Sequence, residues 1–185
     1  MLTNTIKTRI NRAAGAIFTA LAVTTIGLPS AQAESWELRT AAQEVKGTRA
    51  LEEGQLDKAI RIMDANYGTT PYAEKGAMLT NLCLAYILKR DLNTATSYCD
   101  RAVKHGFSDR EAYNNRGVLR SMQGDYPGAV SDFERAGCFA NCPEELNSQG
   151  NERMDVARRN LQRVQVQYAQ QQEEQELQVV ESSGN

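Results

Sequence analysis

Residues 111–136 read EAYNNRGVLRSMQGDYPGAVSDFERA, and this stretch decides the fold. Tyr113, Gly117 and Arg120, with Val118 and Ser121 beside them, stand at spacings of three and four, which places them on adjacent faces of one helix. Gly124 stops that helix, because glycine enters the left-handed conformation of a helix C-terminus without a steric penalty. Asp125 is a side-chain acceptor for the free N–H groups of the next helix, and Pro127 is tolerated in its first turn. Ala129, Val130, Phe133 and Ala136 then form a second apolar stripe. So short a link forces an antiparallel hairpin, in which Gly117 is expected to face Ala129 and Ala136.

The hairpin recurs upstream. Tyr72 to Lys89 carries Leu79, Leu82, Cys83 and Tyr86 on one face, and Asp91 or Asn93 caps a partner helix with Ala95, Cys99, Ala102 and Val103. Before it, Asp57 to Asn66 carries Ala59, Ile60 and Met63, and Tyr67 to Pro71 breaks the pattern. Glu34 to Glu53 is expected to form the first amphipathic helix, with Trp36 and Leu38 near its start and Ala50 and Leu51 near its end. Three columns keep one register: Gly47, Cys83 and Gly117; Ala59, Ala95 and Ala129; and the turn positions Gly54, Arg90 and Gly124. A plain bundle has no reason to keep them in step, so the expected fold is an all-α array of helix hairpins.

After Pro143, residues Leu146, Gly150, Met154, Ala157, Leu161, Val164 and Tyr168 make one stripe on a long helix. Over residues 143–168 such a helix caps the bare end of the array, with Arg153, Arg158, Arg159 and Arg163 on its outside. Residues 169–185 are rich in Gln and Glu, lose the stripe, and are read as fraying into a disordered tail.

At the other end, residues 1–33 contain no Asp or Glu. Lys7, Arg9 and Arg12 precede an apolar run from Ala13 to Leu28, and Ala31-Gln32-Ala33 is a small-x-small cleavage site. This pattern predicts a signal peptide cut after Ala33, a periplasmic or secreted address, and no membrane span after cleavage. Cleavage takes the 185 residues to 152 and the 21 Lys and Arg to 18, against an unchanged 23 Asp and Glu, a net charge near −5. Nucleic acid is a poor partner for such a chain, which has no basic stripe to release counterions.

Catalytic machinery is not legible. The single histidine, His105, lies beside Lys104 and Gly106 at a helix C-terminus, where a cation suits the helix dipole. There is no phosphate loop, no HExxH and no nucleophile elbow, so the expectation is a chain that is not an enzyme and needs no cofactor or metal. Four cysteines in an exported chain point to disulfides. Cys138 and Cys142, at the turn before Pro143, are the favoured pair; Cys83 and Cys99 face each other across the middle hairpin, as a second bridge or as two buried thiols. Tyr67, Pro71 and Tyr72 are read as a loop packing on its neighbour rather than as a ligand site.

Tyr113-x-x-Arg116-Gly117, Gly124-Asp125-Tyr126, Ala129-x-x-x-Phe133 and Ala136 together resemble a tetratricopeptide repeat. Two weaker copies precede it, one with Gly47, Gly54, Ala59 and Pro71, the other with Leu79, Leu82, Tyr86, Ala95 and Ala102. The resemblance spans about residues 40 to 143 and implies a short solenoid of three hairpins in residues 34–142. It further implies a concave groove for an extended peptide or a partner's helix. Its lining would be Glu44, Thr80 and Asn114; Thr48, Leu84 and Val118; and Leu51, Ile87 and Ser121, with Asn81 and Asn115 in matching positions beside it. In many members such asparagines hydrogen-bond a bound backbone. The family's clamp for a free C-terminus also uses Lys and Arg in these columns, and here they are missing. The implied function is therefore an adaptor that holds a segment of another envelope protein. A structural homo-oligomer, joined through the Met154 to Tyr168 stripe, is the alternative.

Overall fold

A computed structural model of the chain describes residues 36–105, 110–137 and 152–183. Among them are seven helices and no strand: α1 (Thr48–Glu52), α2 (Leu56–Tyr67), α3 (Tyr72–Leu88), α4 (Leu92–Lys104), α5 (Arg110–Met122), α6 (Tyr126–Gly137) and α7 (Glu152–Ser183). The helices pack in sequence as hairpins, α3 on α4 and α5 on α6, and α7 closes the end against α6. No described helix is long and apolar enough to cross a membrane. Cys138, Cys142 and the turn holding them lie outside the described residues.

The turn column explains the repeat. Gly54, Arg90 and Gly124 all have positive φ, at 72°, 61° and 81°, and each ends the first helix of a hairpin. Arg90 holds this conformation without being glycine, the one departure in the column. Asp91 and Asp125 then cap the helices that follow, accepting from the N–H of Thr94 at 3.1 Å and of Gly128 at 3.0 Å. The alanine column, Ala59, Ala95 and Ala129, is fully buried where the second helices approach the first.

Cys83 and Cys99 form a disulfide joining α3 to α4, with Cα atoms 4.8 Å apart. The bridge fills the middle hairpin where glycine and an aromatic stand in the third hairpin. There, Gly117 faces a different neighbour from the one its sequence suggests. A Cβ at Gly117 would lie 2.7 Å from Cε1 of Phe133, so the glycine makes room for that ring rather than for Ala129 or Ala136. Arg116 braces the same hairpin. Its guanidinium donates to both carboxylate oxygens of the buried Asp132, at 2.8 and 2.7 Å, and Arg120 donates to Asp132 at 2.9 Å. Burial works against the Arg116 cation, but Asp132 and Asp100 outweigh it and push its pKa up.

Two elements differ from expectation. The helix expected over Glu34 to Glu53 is only Thr48–Glu52; residues 36–45 have no helix at all. Gly47, at φ 98°, sets the break, and its Cβ position lies 2.8 Å from Met63, so it packs closely without being in a helix. At the other end α7 does not stop near Tyr168 but runs to Ser183, through exposed positions such as Leu177 and Val180. Gln, Glu, Ala and Leu are all good helix formers, and Gly184 is the first breaker they meet. Within α7 the buried Val156, Ala157, Asn160 and Val164 face the array. The stripe considered for pairing between chains is thus used inside the chain.

Candidate functional site

The face of the array against which residues 36–41 lie is formed by α3, α5 and α7, and each contributes a buried asparagine. A buried amide needs partners, since leaving its N–H and C=O groups unpaired away from water is costly. An extended chain has the complementary need, because its own backbone groups are not satisfied by a helix. Residues 36–41 meet both needs at once.

Asn81 on α3 accepts from the N–H of Ala41 at 2.8 Å and donates to the Thr48 hydroxyl at 2.9 Å. One hairpin further on, Asn115 of α5 accepts from the N–H of Arg39 at 3.2 Å and donates to its carbonyl at 2.7 Å. Asn160 of α7 repeats this with Glu37, accepting from its N–H at 3.2 Å and donating to its carbonyl at 2.9 Å. Asn114 adds a second donor to the Glu37 carbonyl at 2.9 Å and accepts from Asn160 at 3.0 Å. Residues 37, 39 and 41 are therefore held through their backbones, every second one, by the alternate helices α7, α5 and α3. The segment runs from α7 back towards α1, against the order of the hairpins.

The side chains between these positions supply the apolar part. The Trp36 ring stacks on Phe133, with centroids 6.2 Å apart and planes 16° from parallel. Leu38 packs where three core clusters meet, among them those of Leu84, Ile87 and Val118. Ala41 and Val45 are buried in the first cluster with Leu51. At the α7 end Arg159 grips the Glu37 carboxylate with two hydrogen bonds of 2.6 Å, and Arg163 stands 3.6 Å away. The bond from Arg159 holds the Glu37 pKa below its ordinary value against the opposing effect of burial, with further help from the charges of Arg159, Arg163 and Arg39.

Of the lining positions read from the sequence, Asn81, Asn114 and Asn115 meet the segment directly. Leu84, Ile87, Val118 and Leu51 lie in the clusters beneath it, and Thr48 is bonded to Asn81 and to the N–H of Val45. Thr80 and Ser121 instead turn their hydroxyls to the Gly76 and Gly117 carbonyls of their own helices. Glu44 is exposed outside any helix. Sequence reasoning missed Asn160, Arg159 and Arg163, which it placed on a capping helix with the arginines outward. It also missed the occupant. Trp36-Glu37-Leu38-Arg39 alternates apolar and polar, a period of two that signals an extended chain.

Away from the groove, His105 packs its ring on Tyr72, centroids 4.4 Å apart, and Tyr67 lies under the cations of Lys75 and Arg101. Among the described residues no group of three or more His, Cys, Asp or Glu side chains is placed to hold a metal ion.

No family model and no curated relative matches the chain. Solved structures do. The first TPR of Spaghetti (RPAP3), bound to the HSP90 peptide SRMEEVD, is similar with a TM-score of 0.53 and 26% identity, over 66% of this chain and 87% of that one. The first TPR domain of the human RPAP3 protein, an NMR structure, matches with a TM-score of 0.54 and 25% identity, over 69% of this chain and 90% of that one.

Proposed function

The chain is a tetratricopeptide-repeat-type protein, and on that premise we propose that it is an exported adaptor that holds an extended segment of another envelope protein in its concave groove. The observation that carries the proposal is the asparagine ladder. Asn81, Asn115 and Asn160 grip backbone groups, which any sequence supplies, while Phe133, the Leu38 position and Arg159 select side chains. A similar solved structure is bound to a peptide, which supports a peptide-binding role here.

The exported address rests on residues 1–33 and gains support from the Cys83–Cys99 bridge, since disulfides persist in oxidising compartments. On this reading the signal peptide is cut after Ala33 and the mature chain works in the periplasm or outside the cell, as a scaffold without catalysis of its own. A photo-crosslinking residue at Glu44, activated in the native cell, tests the proposal. A partner should be captured through one continuous segment, and its capture should fall when Asn115→Asp is added but not when the remote Lys58→Ala is added. Capture indifferent to Asn115→Asp would overturn the groove as the binding surface.

A further inference from the structure

The groove is already filled by the protein's own chain, and two extended chains cannot use the same amides. Asn115 gives both its N–H and its C=O to Arg39, and Asn160 does the same for Glu37. A partner laid over the resident segment would meet no free asparagine. Resting on the adaptor reading above, we propose that the partner's segment has the chemistry of Trp36–Ala41 and enters the groove by displacing it.

The resident segment shows which chemistry the groove accepts. It takes an aromatic ring on Phe133, then a carboxylate in the fork of Arg159, then a leucine-sized side chain at the junction of three apolar clusters. Three residues after the leucine comes a small residue, since Ala41 is only 5% exposed with its N–H on Asn81. The partner is therefore an extended, acidic-aliphatic segment led by an aromatic, running from α7 towards α1.

The same segment is built to leave. Within the segment only Ala41 is enclosed; residues 36–40 are half-buried, and all of it is held by side chains and not by a backbone ladder. Between the segment and α1, Ala42, Gln43 and Glu44 are exposed and Gly47 is left-handed, while Val45 stays buried with its N–H on Thr48, so the link that would move is residues 42–44. Release need not open a hairpin, because α3 to α6 also pack directly on one another. A segment tethered this closely competes at an effective concentration in the millimolar range. The groove's apparent affinity falls in proportion to the fraction of time it is vacant.

The test uses the exported chain and a fluorescent peptide of residues 34–42, ESWELRTAA, read by anisotropy. A protease site is inserted after Gln43, so that cutting removes the tether and no contact. The cut chain should bind the peptide at least about tenfold more tightly than the uncut chain. A peptide carrying Glu37→Lys should lose at least about tenfold on the cut chain, because it puts a cation against Arg159 and Arg163. As a second variant that leaves the apolar contacts in place, Glu37→Lys in the uncut chain should raise its affinity for the unaltered peptide. Equal binding by cut and uncut chains would overturn displacement while leaving the adaptor reading intact. No exchange in the cut chain would make the segment a fixed part of the fold and overturn the proposal. Exchange without any groove-dependent capture in the cell would leave the displaceable segment standing and sink the adaptor reading instead. A dimer of the uncut chain with exchanged segments, seen by light scattering and lost on cutting, would make a second copy the occupant and overturn a foreign one.

Discussion

The side-chain amide of Asn115 bonds both backbone groups of Arg39, at 3.2 Å to its N–H and 2.7 Å to its carbonyl, across 76 residues of sequence. This is how a helix face reads an extended chain without reading its side chains. Asn115→Asp keeps an acceptor for the N–H but sets a carboxylate against the carbonyl. It should destabilise the chain by about 2 kcal/mol, within the range for a lost buried hydrogen bond that leaves a group unpaired. Chemical denaturation measures it, with Lys58→Ala, on the exposed side of α2, expected within about 0.5 kcal/mol of the parent.

The grip on Glu37 depends on pH. Its folded pKa is lowered, first by the hydrogen bond from Arg159, so its contribution is complete above the ordinary value of 4.5 and is lost as pH falls through the lowered folded value. Trp36 is the chain's single tryptophan and sits one residue away, so its fluorescence should report loosening of the segment on acidification below that value. Arg159→Gln should weaken this acid step. A step unchanged by Arg159→Gln would exclude the ion pair as its source.

Gly117 gives a prediction with an unusual sign. Replacing a glycine inside a helix with alanine normally stabilises by about 1 kcal/mol. Here the new Cβ would lie 2.7 Å from a ring carbon of the fully buried Phe133. Gly117→Ala should therefore destabilise by about 1–3 kcal/mol, the usual range for overpacking. Thermal unfolding decides it, and Phe133→Leu in the same chain should recover part of the loss relative to Phe133→Leu alone. A stabilising Gly117→Ala would contradict the packing.

The Cys83–Cys99 bridge closes a short loop between α3 and α4, with a sequence separation of 16. In the chain-entropy view a loop of that size contributes about 3 kcal/mol. The paired change of both cysteines to serine should lower unfolding stability by at least that amount, since it also buries two hydroxyls. A loss under about 1 kcal/mol would mean that the bridge does little for the fold.

The hairpins were legible because their signals are local. A positive-φ turn followed by a capping aspartate, at Gly124-Asp125 and Arg90-Asp91, is written in adjacent residues. Helical stripes likewise need only a few turns of context. The groove was legible in part: Asn81 and Asn115 stand 34 residues apart in register with the repeat. What occupies it was not. Residues 34–53 carry enough Ala, Leu and Glu to read as a helix, and the alternation at Trp36 to Arg39 covers only a few residues. Their extended course is set by amides on three helices as far as 123 residues away. Asn160 and Arg159 were hidden for the same reason, since their roles exist only once α7 lies against the segment.

Residues 36–41 lie in the groove with every second backbone amide bonded to an asparagine. Amide hydrogen exchange resolved by residue reads this arrangement. The N–H groups of Glu37, Arg39 and Ala41 should be protected, and those of Leu38 and Thr40, which make no such bond to the asparagines, should exchange faster. Asn115→Asp should lower protection at Arg39 first. Uniformly fast exchange across residues 37–41, or the graded protection of a continuous helix into α1, would contradict it.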